Sequence, residues 1–239
     1  MNSKGFTLVE LAIVMIIIGL LIGGVLKGQE LIANSQVTST IAQIKGIDAA
    51  ASTFKDQYKA LPGDFSRATV RLPNCTSPCG NGNGDGRLTN PPGTIEAYNN
   101  ENFRFWRHMS KADLFSGVDG SNQGIWGEGV PAADVGGGFV VGFNATGNLL
   151  GDTSAVNARG GHWLALKSTA AARADSEPHL RASIAARLDR KMDDGAPNGG
   201  VVRAIGTAGA TGCADGTGST ALYNEAIDVL ACALYIRIQ

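Results

Sequence analysis

The feature that most constrains this chain is an apolar run that begins almost at its first residue: FTLVELAIVMIIIGLLIGGVL, residues 6 to 26. At about 1.5 Å per residue it makes a helix of about 31 Å, enough to cross the hydrocarbon layer of a bilayer. No other segment is as long and as apolar, so the chain reads as single-pass, with everything after residue 26 on one side. Only Met1 to Gly5 precede the run, with Lys4 as their one charged side chain. The positive-inside tendency keeps that short end cytoplasmic and exports the bulk. A secretory signal would show small residues at a cleavage site after the run. The sequence instead continues as KGQELIANSQVTSTIAQIKG, with no such site and no nearby cysteine for a lipid anchor. Glu10 is out of place here, because a carboxylate inside a bilayer costs about 2.5 to 3.5 kcal/mol on insertion scales.

Beyond the run, apolar positions fall at Val37, Ile41, Ile44, Ile47, Ala51, Phe54 and Tyr58, three or four residues apart. That is one helical stripe. Gln43, Lys45, Asp48, Lys55, Asp56 and Gln57 stand between its members and suit a solvated face. The spacing therefore predicts a nearly unbroken helix from about residue 6 to about 58, on the order of 80 Å long. It ends at ALPGD, residues 60 to 64, where Pro62 restricts Leu61 and Gly63 supplies a turn. Gly19 and Gly23 form a small-xxx-small pair that lets helices approach closely, a property a passive anchor does not need.

The stretch KGFTLVEL, Lys4 to Leu11, closely resembles the processing motif of type IV pilins and of type II secretion pseudopilins. The resemblance is carried by Gly5 before the cut, Phe6 as the new terminus and Glu10 as the fifth mature residue, with the apolar run adjoining. It covers residues 1 to about 60 strongly and the rest in outline. It implies a leader at 1–5 removed by a prepilin peptidase between Gly5 and Phe6, and N-methylation of Phe6. It implies a transmembrane and filament-core helix over 6–26, an amphipathic continuation over 27–60 and an exported head over 61–239. The expected partners are further copies and related pilins, the peptidase and methyltransferase, and an inner-membrane assembly platform. The expected location is the bacterial inner membrane with the N-terminus cytoplasmic, then a periplasmic or cell-surface filament. Cleavage would create an amine at Phe6, the one other ionised group at Glu10's depth, and a carboxylate in lipid needs such a partner. Two pairings are open. Glu10 meets its own Phe6 amine and helix N-terminus, or it meets the Phe6 amine of a neighbouring subunit so that assembly neutralises both.

The fold class expected is α+β: the long helix packed on a C-terminal antiparallel sheet with Gly-rich loops. Residues 65 to 98 read as a loop. NNENFRFWRHMSKADLF reads as a helix capped near Asn99 or Asn100 that buries Phe103, Trp106, Met109 and Leu114 or Phe115. GGFVVGFNATGNLL and GHWLALK read as strands, HLRASIAARLDRKM as a helix, and GGVVRAIG and VLACALYIRI as the last strands of a sheet of about four. A 44% hydrophobic share supports a real core, and a net charge of -1 argues against a nucleic-acid partner. Cys75, Cys79, Cys213 and Cys232 all lie on the exported side, where disulfides form. Spacing favours Cys75 with Cys79 and Cys213 with Cys232, although a crossed pattern is open.

NGNGDG, residues 81 to 86, resembles the first half of a calcium loop, with oxygen side chains at Asn81, Asn83 and Asp85 and a turn glycine at Gly86. The bidentate glutamate of such a loop is replaced by Pro92, so Glu101 or Glu96 would have to supply the further carboxylate. A plain Asn/Gly turn is the competing reading. No cofactor is required, and calcium is the one candidate. Asp193 and Asp194 in KMDDG place negative charge at a helix C-terminus, with Lys191 and Arg190 to compensate. His108, His162 and His179 lack metal-ligand spacing, no nucleophile elbow or phosphate loop is present, and Trp106, Trp126 and Trp163 suit core packing. Nothing in the sequence makes an enzyme. A filament subunit is the leading reading, and a secretion pseudopilin or a minor pilin with an adhesive or DNA-uptake role is the alternative.

Overall fold

The computed structural model describes residues 7–89, 100–121, 124–145, 159–168, 179–206, 212–216, 218 and 220–238. The chain opens with one uninterrupted helix, α1 (Leu8–Tyr58), of 51 residues, about 76 Å at the usual rise. It stops where Lys59 turns into the left-handed region at φ 56°, its N–H still bonded to the Lys55 carbonyl. The apolar stripe is buried as its spacing predicts: Val37, Ile41, Ile44, Ile47, Ala51 and Phe54 are covered, with Tyr58 half-buried at the edge. Before Val37 nothing on α1 is buried, and the side chains from Leu8 to Ile32 stand open.

The segment read as a loop after residue 64 contains a short helix, α2 (Ala68–Arg71), and the Cys75–Cys79 disulfide. Helix α3 (Glu101–Lys111) follows, capped by the Asn100 side chain, which accepts from the Phe103 N–H at 3.3 Å. It buries Phe103, Trp106 and Met109 as its periodicity predicts, and Phe105 besides. Strands β1 (Gly138–Asn144) and β2 (Gly161–Lys167) pair antiparallel, Val141 opposite Leu164. HLRASIAARLDRKM departs from its reading as a single helix. Leu180 and Arg181 form a two-residue strand, β3, and helix α4 runs from Ala182 to Met192. The start is extended because the His179 and Leu180 backbone pairs with Cys232 of the last strand. Strands β4 (Val202–Ile205) and β5 (Leu230–Ile238) complete the sheet.

Among the described residues all pairings between strands are antiparallel, so the class is α+β, and the sheet has five described strands rather than about four. Strand β5 is central, flanked by β2 along Leu234–Ile238, by β4 along Ala233–Ile236 and by β3 at Leu230 and Cys232. One core joins Val37, Ile44 and Ile47 of α1 to Trp106 of α3, Leu188 of α4 and Trp163, Leu166 and Tyr235 of the sheet. A smaller cluster gathers Phe54, Phe65, Ala68 and Leu72 around the first disulfide.

Candidate functional site

The residues that carry the assembly reading lie at the start of α1. Thr7 is extended, and its hydroxyl accepts from the Glu10 N–H at 3.3 Å. The Glu10 carboxylate reaches back to the Thr7 N–H and hydroxyl, both at 2.8 Å. This capping box satisfies backbone donors that the first turn of a helix otherwise leaves open. Both bonds use Oε2, so among the described residues Oε1 is left without a partner. Gly5 and Phe6 lie outside the described residues. The T-x-x-E pattern from Thr7 to Glu10 is a capping signature in plain view, and reading Glu10 only as a membrane oddity passes over Thr7.

From Leu8 to Leu26 the helix shows its apolar side chains on every face, and an added Cβ at Gly19, Gly23 or Gly24 would touch nothing within 4 Å. A helix apolar all round is a membrane span or the core of an assembly. The family model for the prokaryotic N-terminal methylation motif matches residues 1–26. The chain carries the type IV pilin and pseudopilin signature. That motif points to a structural subunit, and with the apolar helix behind it fits a membrane-anchored pilin. It implies processing by prepilin peptidase and assembly into pilus-like filaments with other pilins. No curated protein and no solved structure matches the chain.

The loop over residues 81–86 is organised around a residue the sequence reading does not single out, Asp64. Its Oδ1 accepts from the N–H groups of Gly84 at 2.6 Å and Asp85 at 3.1 Å, and its Oδ2 from that of Gly86 at 2.7 Å. Glu101 accepts from the Asn83 N–H at 2.7 Å and the Thr89 hydroxyl at 2.6 Å. Asn83, Asp85 and Glu101 are therefore brought together, whereas Asn81 turns away to accept from the Thr69 N–H at 2.9 Å. Here the carboxylates are the acceptors and the loop's N–H groups converge on them, the reverse of a ring of oxygens around a cation. Burial holds Asp64 above the usual carboxylate range even with those donors in place. Gly82 allows the close approach, since a Cβ there would lie 2.3 Å from the Asp64 backbone. Glu96 and Pro92 lie outside the described residues. The signal for Asp64 is its place directly after the Pro62–Gly63 turn, the point at which α1's end and the loop must meet.

The same junction is held by His108. Its Nδ1 accepts from the Gly63 N–H at 2.9 Å, so the proton is on Nε2, which donates to the Gly80 carbonyl at 2.9 Å. Burial lowers its pKa to about 4, which keeps the ring neutral. His162 is likewise lowered to about 4 by burial. Trp106 and Trp163 are buried, and the Trp126 indole donates to the Ser168 carbonyl, so the three tryptophans do not make a platform.

Cys213 pairs with Cys232 and closes a loop onto β5. Tyr223 in that loop donates its hydroxyl to Asp189 of α4 at 2.8 Å, and Arg190 pairs with Glu225. Burial raises Asp189 to about 6. The carboxylates of KMDDG are spent on backbone: Asp193 accepts from the N–H groups of Val201 and Val202, and Asp194 from that of Ala196 at 2.9 Å. They shape the turn after α4.

Proposed function

We propose that this chain is a structural filament subunit of the type IV pilin kind, cut between Gly5 and Phe6, methylated on Phe6, and assembled through the apolar half of α1. The reading rests on one observation: the methylation motif opens directly into a helix whose first 25 described residues bury no side chain. Such a surface is stable only in lipid or against copies of itself. The division into leader 1–5, span 6–26, continuation 27–60 and head 61–239 belongs to the same proposal, as does an inner-membrane location before assembly.

Glu10 supports a role for a neighbour. Its Oε2 serves its own capping box, and the second oxygen, open among the described residues, is proposed to take the amine that cleavage creates on an adjacent subunit. Pairing there would neutralise two charges that each cost free energy in lipid. Glu10→Gln should keep the cap, the membrane insertion and the cleavage, yet stop incorporation into filaments. Normal filaments from that variant would sink the pairing.

Type IV pilins and pseudopilins share the motif, so a short periplasmic pseudopilus in protein secretion is the second reading. Immunogold imaging decides between them. Long surface fibres containing the chain are expected for a pilin, and loss of secretion without fibres for a pseudopilin.

A further inference from the structure

The loop NGNGDG sets three chemically labile pairs in a row: Asn81–Gly82, Asn83–Gly84 and Asp85–Gly86. In an Asn–Gly pair the glycine backbone nitrogen can attack the asparagine Cγ. A new N–Cγ bond forms, the Cγ–Nδ2 bond breaks, and ammonia leaves with the proton of the attacking N–H. Water then opens the succinimide ring to aspartate or to isoaspartate. Glycine makes the attack easy because no side chain hinders its nitrogen. These glycines cannot be exchanged for a less reactive neighbour. A Cβ on Gly82 would lie 2.3 Å from the Asp64 backbone, and Gly84 and Gly86 hold φ at 80° and 82°.

Burial does not shield the pairs, since Asn81 and every residue from Asn83 to Gly86 are exposed. The fold instead occupies the atoms that would react. The Gly82 N–H donates to the Phe65 carbonyl at 3.0 Å, the Gly84 N–H to Asp64 Oδ1 at 2.6 Å and the Gly86 N–H to Asp64 Oδ2 at 2.7 Å. The side chain that Gly84 would attack is also engaged: Asn83 Oδ1 accepts from the Asp85 N–H at 2.9 Å, and its amide donates to Asp85 Oδ2 at 3.1 Å. Asp64 is 3% exposed, so its oxygens are fixed behind the turn. Conversion of Asn83 would replace that amide donor by a carboxylate facing Asp85. Burial and, after it, the Glu101 and Asp85 carboxylates already hold Asp64 above its ordinary range. A further negative charge would repel all three, so a loop once converted would not close again as before.

We propose that Asn83 is a latent deamidation site that Asp64 keeps intact by tying down the Gly84 nitrogen. The co-reactant is water alone, and the reaction waits on local opening of the 84–86 turn.

The test holds the full chain in detergent at mildly alkaline pH, then reduces it, digests it with trypsin and follows the peptides by mass spectrometry. Cleavage places Asn83 in the peptide 72–87, where fragment ions separate it from Asn74 and Asn81, and Asn198 of another Asn–Gly pair in the peptide 192–203. The Gly199 N–H donates to the Ala196 carbonyl, so Asn198 is an internal reference outside the reach of Asp64. In denaturant the two sites should convert at similar rates, and folding should slow Asn83. Equal rates at Asn83 in the folded and denatured chain overturn the proposal. Asp64→Ala should speed conversion of Asn83 about thirtyfold and leave Asn198 unchanged. No change at Asn83, or an equal rise at both sites, overturns the proposal. So does a slower Asn83, which would make Asp64 the base that drives the attack. Asp64→Asn keeps one acceptor oxygen and serves if the alanine variant does not fold. It should give a smaller rise, again confined to Asn83, and a rise at both sites or at neither overturns the proposal.

Discussion

His108 and Asp189 are buried groups whose protonation moves stability in opposite directions. Burial lowers His108 to about 4, against about 6.5 for an unfolded chain. As pH falls below about 6.5 the unfolded chain takes up the proton first, so this contribution is full above that pH and lost toward 4, about 3 kcal/mol in all. Burial raises Asp189 to about 6, against about 3.9 unfolded. Its contribution is present below about 3.9 and lost as pH rises through 6. Melting curves between pH 4 and 6.5 should separate them. His108→Gln, whose amide can still accept from Gly63 and donate to Gly80, should flatten the rise of melting temperature with pH. Asp189→Asn should steepen it. Asp64 gives a third residue-scale expectation, because its carboxylate collects three N–H donors of the 84–86 turn. Asp64→Ala should cost about 2 kcal/mol in denaturant unfolding, less than for fully buried donors because water reaches that turn. Since these oxygens already hold N–H groups, calorimetric titration of calcium is expected to be silent. Heat with a raised melting temperature would instead make the loop a metal site.

Among the elements, the Cys213–Cys232 loop carries the clearest energetic expectation. It closes 19 residues in separation, for which the chain-entropy relation gives about 3 kcal/mol. Replacing both cysteines by serine should lower unfolding free energy by about that amount while α4 keeps the loop through Tyr223 and Glu225. A larger loss accompanied by collapse of β5 pairing would show that the disulfide fixes the strand as well. The elements also show why some of the fold was legible and some was not. Helix α1 and its buried stripe follow from periodicity, since one face must be covered and the spacing names it. Strand β3 does not, because two residues carry no period; only the β5 backbone beside them makes Leu180 and Arg181 extended. For the same reason the partners of Asp64 and His108 do not follow from the sequence, although ALPGD and the histidine itself are both plain in it. Each binds loops distant in sequence, and neither belongs to a motif. Thr7 differs, for its cap with Glu10 is local and was readable.

For the whole molecule, burial divides the chain at about residue 37. Among the described residues every core side chain lies at Val37 or beyond, so the head's stability owes nothing to the apolar half. A chain beginning at residue 27 should be soluble, monomeric and as heat-stable as the full chain in detergent, as scanning calorimetry would check. A drop of more than a few degrees would mean that α1 before residue 27 supports the head. The same division has a mechanical side. Helix α1 passes from Leu8 to Tyr58 without a break and is gripped by α4 at Asn34 and Thr38, by the main core from Val37 to Ala51 and by the smaller cluster at Phe54. It is a shaft with its handle fixed at one end only. Thrust or torque applied to the greasy end is delivered to the head with no hinge to absorb it, and each residue's length of withdrawal lifts the head by about 1.5 Å.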